Sequence, residues 1–465
     1  MSDKPARRTK AKPKRARGAA PPGTRAAQRY RRLPTGTHGI DPETVKRDQR
    51  ERLRAAMVEL IAAKGYPAVR ISDLARLAHV SPPTLYSLYA DKEELFMGTY
   101  EDVAQRVGTA IAGAAPSGDG DRLTVAMGAF AELAVREPQA VSLLVMGAFG
   151  AGPRALARRR ATIAMLEAYI NANRSPGVAP DGGDLTVKAL LGGVREITAS
   201  RLRDGRHGEL PALAAPLAEW GRRYPVQLPP GLSVPPCRRG EGACATPSER
   251  ARRAEGRLPS GRSEMPRTMI LKSQQERIVD ATAAIVAEKG LAALTIPEIA
   301  RRANVSNQTF YSLYPSKHDA FLGAQKVGMH QALRVSVEAY MAEQGDWPRA
   351  IGAGLRALLG YLASEPAHAH LTLVDTFAAS PEAIAIRSAA MDAFRVYLAP
   401  GFPIAGERAP QPIAAEAIVG GIWQVLHHYI ESDSAAELPS VAAQLTYFTL
   451  LPFLGTERAA EAALS

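Results

Sequence analysis

The sequence predicts an all-α protein made of two similar halves. The stretch VSPPTLYSLYADKEELF, residues 80–96, recurs as VSNQTFYSLYPSKHDAF at residues 305–321, an offset of 225 without a gap. Apolar residues upstream of each copy recur at the spacing of an amphipathic helix. Later, ALLGGV at 189–194 matches AIVGGI at 417–422 at an offset of 228. Because only three residues of net insertion separate the two offsets, the whole chain is interpreted as a tandem duplication.

The first element is a basic tail. The chain of 465 residues has a formal net charge of +12, and residues 1–40 carry twelve Lys or Arg against one Asp. A segment this polar cannot bury enough apolar surface to fold, so residues 1–44 are predicted to be disordered. Such a tail either stays solvated or contacts nucleic-acid phosphate, and we favour the second interpretation because of the segment that follows it.

The next elements form a three-helix unit, residues 45–97. Its first helix is predicted to end at Gly65, since glycine is common just past a helix C-terminus. A short second helix at 74–78 is followed by His79, at a position that requires a left-handed backbone. Ser81 then caps the third helix by accepting from an unpaired backbone amide. This order of elements is a helix-turn-helix pattern.

The second copy, residues 269–322, has the same signals at the same offset. Thr295 and Glu298 additionally predict a capping box at its second helix, and Arg70 breaks this box in the first copy. Asn tolerates the left-handed turn position better than His does. The corresponding predicted features of the second copy are Gly290, a second helix at 299–303, Asn304 and Ser306.

Each unit resembles the DNA-binding domain of the tetracycline-repressor (TetR) family of bacterial transcription regulators. The resemblance covers about the first hundred residues of each half. The fold that it implies is an N-terminal three-helix domain followed by a helical regulatory and dimerisation domain. The residues that carry it are Ala75, Val80, Ser81, Thr84, Leu85, Tyr86, Tyr89, Lys92 and Phe96, and then Ala300, Val305, Ser306, Thr309, Phe310, Tyr311, Tyr314, Lys317 and Phe321.

The resemblance implies that the third helix of each unit reads base edges in the major groove. In the second copy Asn307 and Gln308 lie in the first turn, and either amide can pair with adenine. The first copy has Pro82 and Pro83 there, which fit the start of a helix but offer no donor. The two helices are therefore expected to read different bases, the first of them through Thr84, Ser87 and apolar contact with thymine methyl groups.

Phosphate contacts are expected at Tyr86, Tyr311, Lys92 and Lys317, because the family uses these positions in that way. Tyr89 and Tyr314 are expected in the core. The full set of predicted DNA-binding residues is Arg70, Ser81, Pro82, Pro83, Thr84, Tyr86, Ser87, Lys92, Thr295, Ser306, Asn307, Gln308, Thr309, Tyr311, Ser312 and Lys317.

The remaining regions are two helical regulatory domains, at 98–225 and 323–457, and a Pro-, Gly- and Arg-rich linker at 226–268. Paired glycines, Gly192-Gly193 and Gly420-Gly421, should let two helices approach closely. The expected assembly is a single-chain pseudo-dimer, and the alternative is a homodimer of tandem chains.

The function that these features predict is a ligand-responsive, sequence-specific repressor of a double-stranded DNA operator. The alternative is a nonspecific architectural DNA-binding protein. The resemblance leaves room for a small-molecule effector, whose binding residues cannot be carried over. A cytoplasmic, nucleoid-associated location is expected, because no signal peptide and no apolar run long enough to span a membrane occur.

An enzymatic role is not expected, since no catalytic motif is found, and neither is a cofactor. Cys237 and Cys244 are too few for a zinc site. The histidine pairs His368/His370 and His427/His428 are expected to pack or to form hydrogen bonds rather than to bind a metal.

Overall fold

The structure is a computed structural model that describes residue 30 and residues 41–114, 121–174, 184–234 and 266–465. The basic tail up to residue 40, apart from Tyr30, lies outside the described residues, as does the linker from 235 to 265. All regular secondary structure of the described residues is helical, which confirms the all-α prediction. None of the described helices is both long enough and apolar enough to cross a membrane.

The first half begins with a helix-turn-helix unit and continues into longer helices. Its helices are α1 (Pro42–Lys64), α2 (Ile71–Ala78), α3 (Pro82–Leu88), α4 (Lys92–Gly113), α5 (Arg122–Arg136), α6 (Pro138–Met146), α7 (Pro153–Arg174), α8 (Thr186–Arg203) and α9 (Leu210–Arg222).

The second half repeats this order and adds short helices. They are α10 (Arg267–Lys289), α11 (Ile296–Arg302), α12 (Asn307–Leu313), α13 (Lys317–Ala342), α14 (Trp347–Ser364), α15 (Pro366–His370), α16 (Thr376–Ala379), α17 (Pro381–Val396), α18 (Gly401–Ala405), α19 (Ile413–Glu431), α20 (Ala442–Leu454) and α21 (Thr456–Leu464). A π-helical turn, Leu371–Asp375, joins α15 to α16.

Each helix-turn-helix unit has its own small core. In the first unit Leu53, Leu74, Leu85 and Phe96 are fully buried, one from each of α1 to α4. Burying a side chain of this kind contributes about 1.5–3 kcal/mol. In the second unit the corresponding core residues are Ile278, Ile299, Phe310 and Phe321.

The regulatory domains of the two halves share one large core. Trp220 of α9 meets Phe448 of α20 edge-on, with 6.1 Å between ring centroids. Tyr224 stacks on the same Phe448 ring at 4.7 Å and donates a hydrogen bond to its carbonyl oxygen at 2.9 Å. The described chain thus forms the predicted intramolecular pseudo-dimer, in which residues of one half complete the core of the other.

The chain just after α9 packs on the protein rather than leaving it. Leu232 is 1% exposed and belongs to the shared core, and Gly231 lies near Leu464 of α21. Residues 226–234 fall within the predicted linker, so the described part of that linker includes a packed segment. The composition of this stretch, which is rich in proline and glycine, did not reveal its contacts.

Candidate nucleic-acid interface and the contact between halves

The turn of each helix-turn-helix unit has the predicted left-handed residue. The φ angle is 53° at His79 and 51° at Asn304. The backbone N–H of the next residue donates a hydrogen bond to a carbonyl oxygen of the second helix. Val80 donates to Ala75 at 3.0 Å, and Val305 donates to Ala300 at 2.9 Å. The two turns therefore have the same backbone geometry despite their different residues.

An arginine of the first helix holds each turn in place, a role that was not predicted from the sequence. Arg52 of α1 donates to the carbonyl oxygens of Ala78 and His79. Arg277 of α10 does the same to Ala303 at 3.0 Å and Asn304 at 3.1 Å. Carbonyl groups at the end of a helix need donors, which these guanidinium groups supply. The identical offset of 225 between the two arginines is the signal that could have found them.

The third helix of each unit, α3 or α12, begins as predicted. Ser81 accepts from the amide of Thr84 at 3.2 Å, and Ser306 accepts from that of Thr309 at 3.0 Å. Proline occupies the first turn of α3, where a missing amide donor costs nothing.

The predicted base-reading positions lie on the surface of both units. The side chains at 82 and 83 in α3 and at 307 and 308 in α12 are exposed. Ser87 and Ser312 are exposed too, but each hydroxyl donates to the carbonyl of the threonine three residues earlier, at 2.7 Å. Base readout by any of these residues stays a prediction.

The tyrosines divide as expected between surface and core. Tyr86 and Tyr311 are 55% and 58% exposed, so both hydroxyls can reach a phosphate. Tyr89 and Tyr314 are each 7% exposed and pack inside their units.

Lys92 and Lys317 make contacts within the protein that were not anticipated. The Lys92 ammonium donates to the carbonyl oxygens of Tyr66 and Val69, at 3.2 and 3.1 Å, and lies 4.1 Å from the Tyr66 ring centroid. Burial lowers the pKa of Lys92. Lys317 donates to Leu294 at 2.7 Å. A phosphate contact at either lysine stays a prediction, and it would have to share the ammonium group with these carbonyls.

The capping box predicted at Thr295 is wrong. Thr295 is the N-cap of α11, but its side chain makes no capping hydrogen bond. Glu298 instead pairs with Lys289 at 3.1 Å and with Arg301 at 2.8 Å. The hydrogen bonds from Arg301 and then Lys289 lower the pKa of Glu298 to about 2. Two cations compete better for this carboxylate than one backbone amide does. Thr295 and Arg70, the remaining predicted DNA-binding residues, are exposed.

The two halves meet where α8 crosses α19. A Cβ on Gly192 would lie 2.2 Å from the Gln424 Cβ, and a Cβ on Gly420 would lie 2.7 Å from the Glu196 Cβ. Glu196 and Gln424 are related by the offset of 228, as are the two glycines. This reciprocal contact is what a two-fold axis between equivalent surfaces produces. The predicted close approach at the glycines is therefore present, and no larger residue fits there.

A buried ion pair links the halves beside these glycines. Arg387 of α17 donates to both carboxylate oxygens of Glu196, at 2.8 and 2.7 Å, and the two side chains are 0% and 5% exposed. Burial acts to raise the pKa of Glu196, but Arg387 outweighs it and lowers the pKa to about 2. The equivalent positions on the other side hold Arg159 and Gln424, so the pseudo-symmetry is broken at this point.

The histidines have individual partners. His368 Nε2 lies 3.0 Å from an oxygen of Asp280, and His370 Nδ1 lies 2.8 Å from one of Asp375. His427 is buried, 3.7 Å from Glu431. Among the described residues, no group of three or more His, Cys, Asp or Glu side chains could hold a metal ion.

Comparison with known proteins identifies the helix-turn-helix units. A family model described as "Bacterial regulatory proteins, tetR family" matches residues 53–97 and again residues 278–323. The comparison with curated proteins gives no match.

Two solved structures resemble part of the chain. One is titled as the fatty acid degradation regulator FadR from Bacillus halodurans; it is 17% identical with a TM-score of 0.35, over 38% of this chain and 94% of that one. The other is described as a regulatory protein in the tetR family from Rhodococcus RHA1; it is 21% identical with a TM-score of 0.34, over 39% of this chain and 96% of that one.

Proposed function

Since the chain belongs to the tetR family of bacterial regulatory proteins, with two DNA-binding domains of that family, we propose that it is a ligand-responsive repressor that reads two unlike half-sites. The observation that carries this proposal is a difference of chemistry between two units of equal geometry. Both recognition helices begin at a serine cap and follow the same left-handed turn. One presents Pro82 and Pro83 where the other presents Asn307 and Gln308.

This difference bears directly on base recognition. A side-chain amide can pair with adenine through two hydrogen bonds, and a good pair of this kind contributes about 1–3 kcal/mol of discrimination. Proline has no donor and makes only apolar contacts. Because the backbone is alike in the two units, the half-sites should differ in sequence rather than in how the helices dock.

The arrangement of the halves supports two half-sites on one face of DNA. Helix-turn-helix dimers bind half-sites about one helical turn apart, because their two-fold axis matches that of the operator. The reciprocal glycine contact between α8 and α19 gives this chain an approximate axis of the same kind. The operator should therefore be an imperfect inverted repeat.

The experiment is selection of DNA from a random pool by the purified full chain, followed by sequencing. We expect an asymmetric inverted repeat. The variant Gln308→Ala should relax base preference in one half-site and weaken binding there by about 1–3 kcal/mol. Its matched control is Pro83→Ala, at the equivalent position, which removes no donor. A symmetric site, or equal weakening of all DNA sequences by Gln308→Ala, would contradict the proposal.

The oligomeric state is part of the same proposal. A shared core within one chain supports a free pseudo-dimer of 49.6 kDa. Static light scattering on the full chain tests this, and a mass twice as large would favour a homodimer with four recognition helices. A cytoplasmic, nucleoid-associated location and a non-enzymatic role belong to this proposal as well.

Ligand response is supported by a cavity in the second regulatory domain. It is lined by residues of α13, α14, α17, α19, α20 and the π-helical turn. The π-helical turn directly follows α15, which contains His368. The ring of His368 contacts Asp280 on α10 of the DNA-binding unit. A ligand in the cavity would therefore touch an element connected to that unit.

A further inference from the structure

The cavity of the second half has an apolar wall without charge. Its volume is about 70 Å³, and no Asp, Glu, Lys, Arg or His lines it. Leu358, Leu362 and Leu426 contribute to its wall. An ionic ligand would lose its hydration there without gaining a charged partner, which is strongly unfavourable. The wall therefore selects against charged molecules.

The wall of this largely apolar space includes one buried donor that the described residues leave unpaired. Trp423 lines the cavity and is 5% exposed, and its Nε1–H has no acceptor among the described residues. The Tyr397 hydroxyl, on another lining residue, interacts with the side chain of Ser336, which also lines the cavity. An indole N–H can only donate. A ligand that carries an acceptor oxygen would satisfy it, and a buried donor left without an acceptor is unfavourable.

The first half has different chemistry at the equivalent positions. The offset of 228 places Arg195 where the second half has Trp423. Burial lowers the pKa of Arg195 to about 9, against the opposing charge of Glu196, so the guanidinium remains a cation at neutral pH. A buried cation there replaces the apolar wall that a neutral ligand needs.

The side chains that close the cavity in the second half do not close it in the first. Phe394 and Tyr397 line the cavity. Their equivalents, Leu166 and Tyr169 of α7, are 41% and 61% exposed. The outer wall is thus turned to solvent in the first half. Both the charge and the wall differ, and these are independent observations.

We propose that each chain has one ligand site, in the second half, for a neutral and largely apolar molecule with a hydrogen-bond acceptor. The proposal rests on the proposed ligand-responsive function and specifies its site. It makes the pseudo-dimer unequal in sensing as well as in DNA reading. One bound molecule then acts on a single regulatory domain, and the other half follows through the shared core.

The size of the cavity adds a consequence. An apolar cavity of about 150 Å³ holds benzene, so the cavity of 70 Å³ observed here accepts a six-membered ring only when lining side chains move. A larger ligand must displace lining side chains. Tyr340 and Tyr397, stacked with 4.8 Å between ring centroids, lie at this wall and are the side chains to move.

Three fluorinated probes of one shape test the ligand class by the ¹⁹F line width of the probe in the presence of the full chain. They are 4,4-difluorocyclohexanone, 1,1-difluorocyclohexane and 4,4-difluorocyclohexanecarboxylate. The ketone should bind best. The difluorocyclohexane should bind about threefold to tenfold more weakly than the ketone, because it lacks the oxygen that accepts one hydrogen bond. The carboxylate should not broaden.

Two matched variants test the single site. Ala332→Phe fills the cavity, and Val107→Phe places the same ring at the equivalent position of the first half. We expect the first to abolish broadening of the ketone and the second to leave it unchanged. In case Ala332→Phe does not fold, Trp423→Phe keeps the apolar wall but removes the donor. It should abolish the preference for the ketone over the hydrocarbon.

The results separate this proposal from the proposed function. If each of Ala332→Phe and Val107→Phe removed about half of the broadening of the ketone ¹⁹F line, the chain would have two ligand sites. That result would overturn the inference. Preferential binding of the carboxylate, or no broadening by any probe up to its solubility, would overturn the ligand class. These measurements contain no DNA, so a failure of operator selection does not change them, and their failure leaves the reading of two half-sites intact.

Discussion

Replacing Gly192 by Ala tests whether the halves pack through α8 and α19 as described. The new Cβ would lie 2.2 Å from the Gln424 Cβ, 2.9 Å from its Cγ and 3.1 Å from the Gly420 carbonyl oxygen. Carbon atoms in contact normally lie about 3.5–4.0 Å apart. The helices would therefore have to separate by more than 1 Å, roughly the difference between these distances.

The expected change in unfolding free energy follows from two opposing effects. Overpacking of a well-packed core costs about 1–3 kcal/mol, and a contact of 2.2 Å places this case at the upper end. Alanine also gains about 1 kcal/mol over glycine inside a helix. The net expectation is a loss of about 2 kcal/mol of unfolding free energy. Gly420→Ala should behave similarly, because it meets Glu196 in the equivalent contact.

The assay is urea unfolding of the full chain, followed by tryptophan fluorescence, since Trp220 and Trp423 lie in the shared core. Gly108→Ala is the matched control. It lies within α4, and a Cβ there meets nothing within 4 Å. Its midpoint should rise slightly because only helix propensity changes. If Gly192→Ala raised the midpoint as Gly108→Ala does, the packing described for α8 and α19 would be refuted.

Three other variants have defined expectations. Glu196→Gln leaves the fully buried Arg387 without a carboxylate, so it should lower the unfolding free energy by about 3 kcal/mol, measured by thermal unfolding. Glu338→Gln, in an exposed ion pair, should lower it by under about 1 kcal/mol. Equal losses would contradict the conclusion that burial makes the first pair costly to break. Burial, with the nearby Arg159 and Arg195, lowers the pKa of His427 well below 6.5. The unfolded chain then binds the extra proton first, and stability should fall as the pH drops below about 6.5; His427→Gln should remove that part of the decline, and an unchanged pH profile would rule it out. His79→Gly should stabilise the first unit by about 1 kcal/mol by relieving a left-handed histidine, and Asn304→Gly should gain less; a melting temperature that falls in His79→Gly would argue against strain at this turn.

Much of the DNA-binding unit could be predicted because its signals are local. A left-handed residue at His79 and Asn304, and serine caps at Ser81 and Ser306, depend on backbone preferences within a few residues. The repeat strengthened each of them, since the same pattern appears twice. The capping box at Thr295 failed because cationic side chains compete for its partner. Glu298 pairs with Arg301 on the same helix and with Lys289 on α10, nine residues away.

The sequence by itself determined the all-α class, the duplication, both turns and the glycines that let the halves approach. These features follow from local backbone geometry and from repetition, which a linear chain displays. Only the tertiary structure decided that Arg387 binds Glu196 across 191 residues and that Trp423 lines a cavity. Such contacts depend on how helices from the two halves pack, and side-chain identity does not specify a partner that distant.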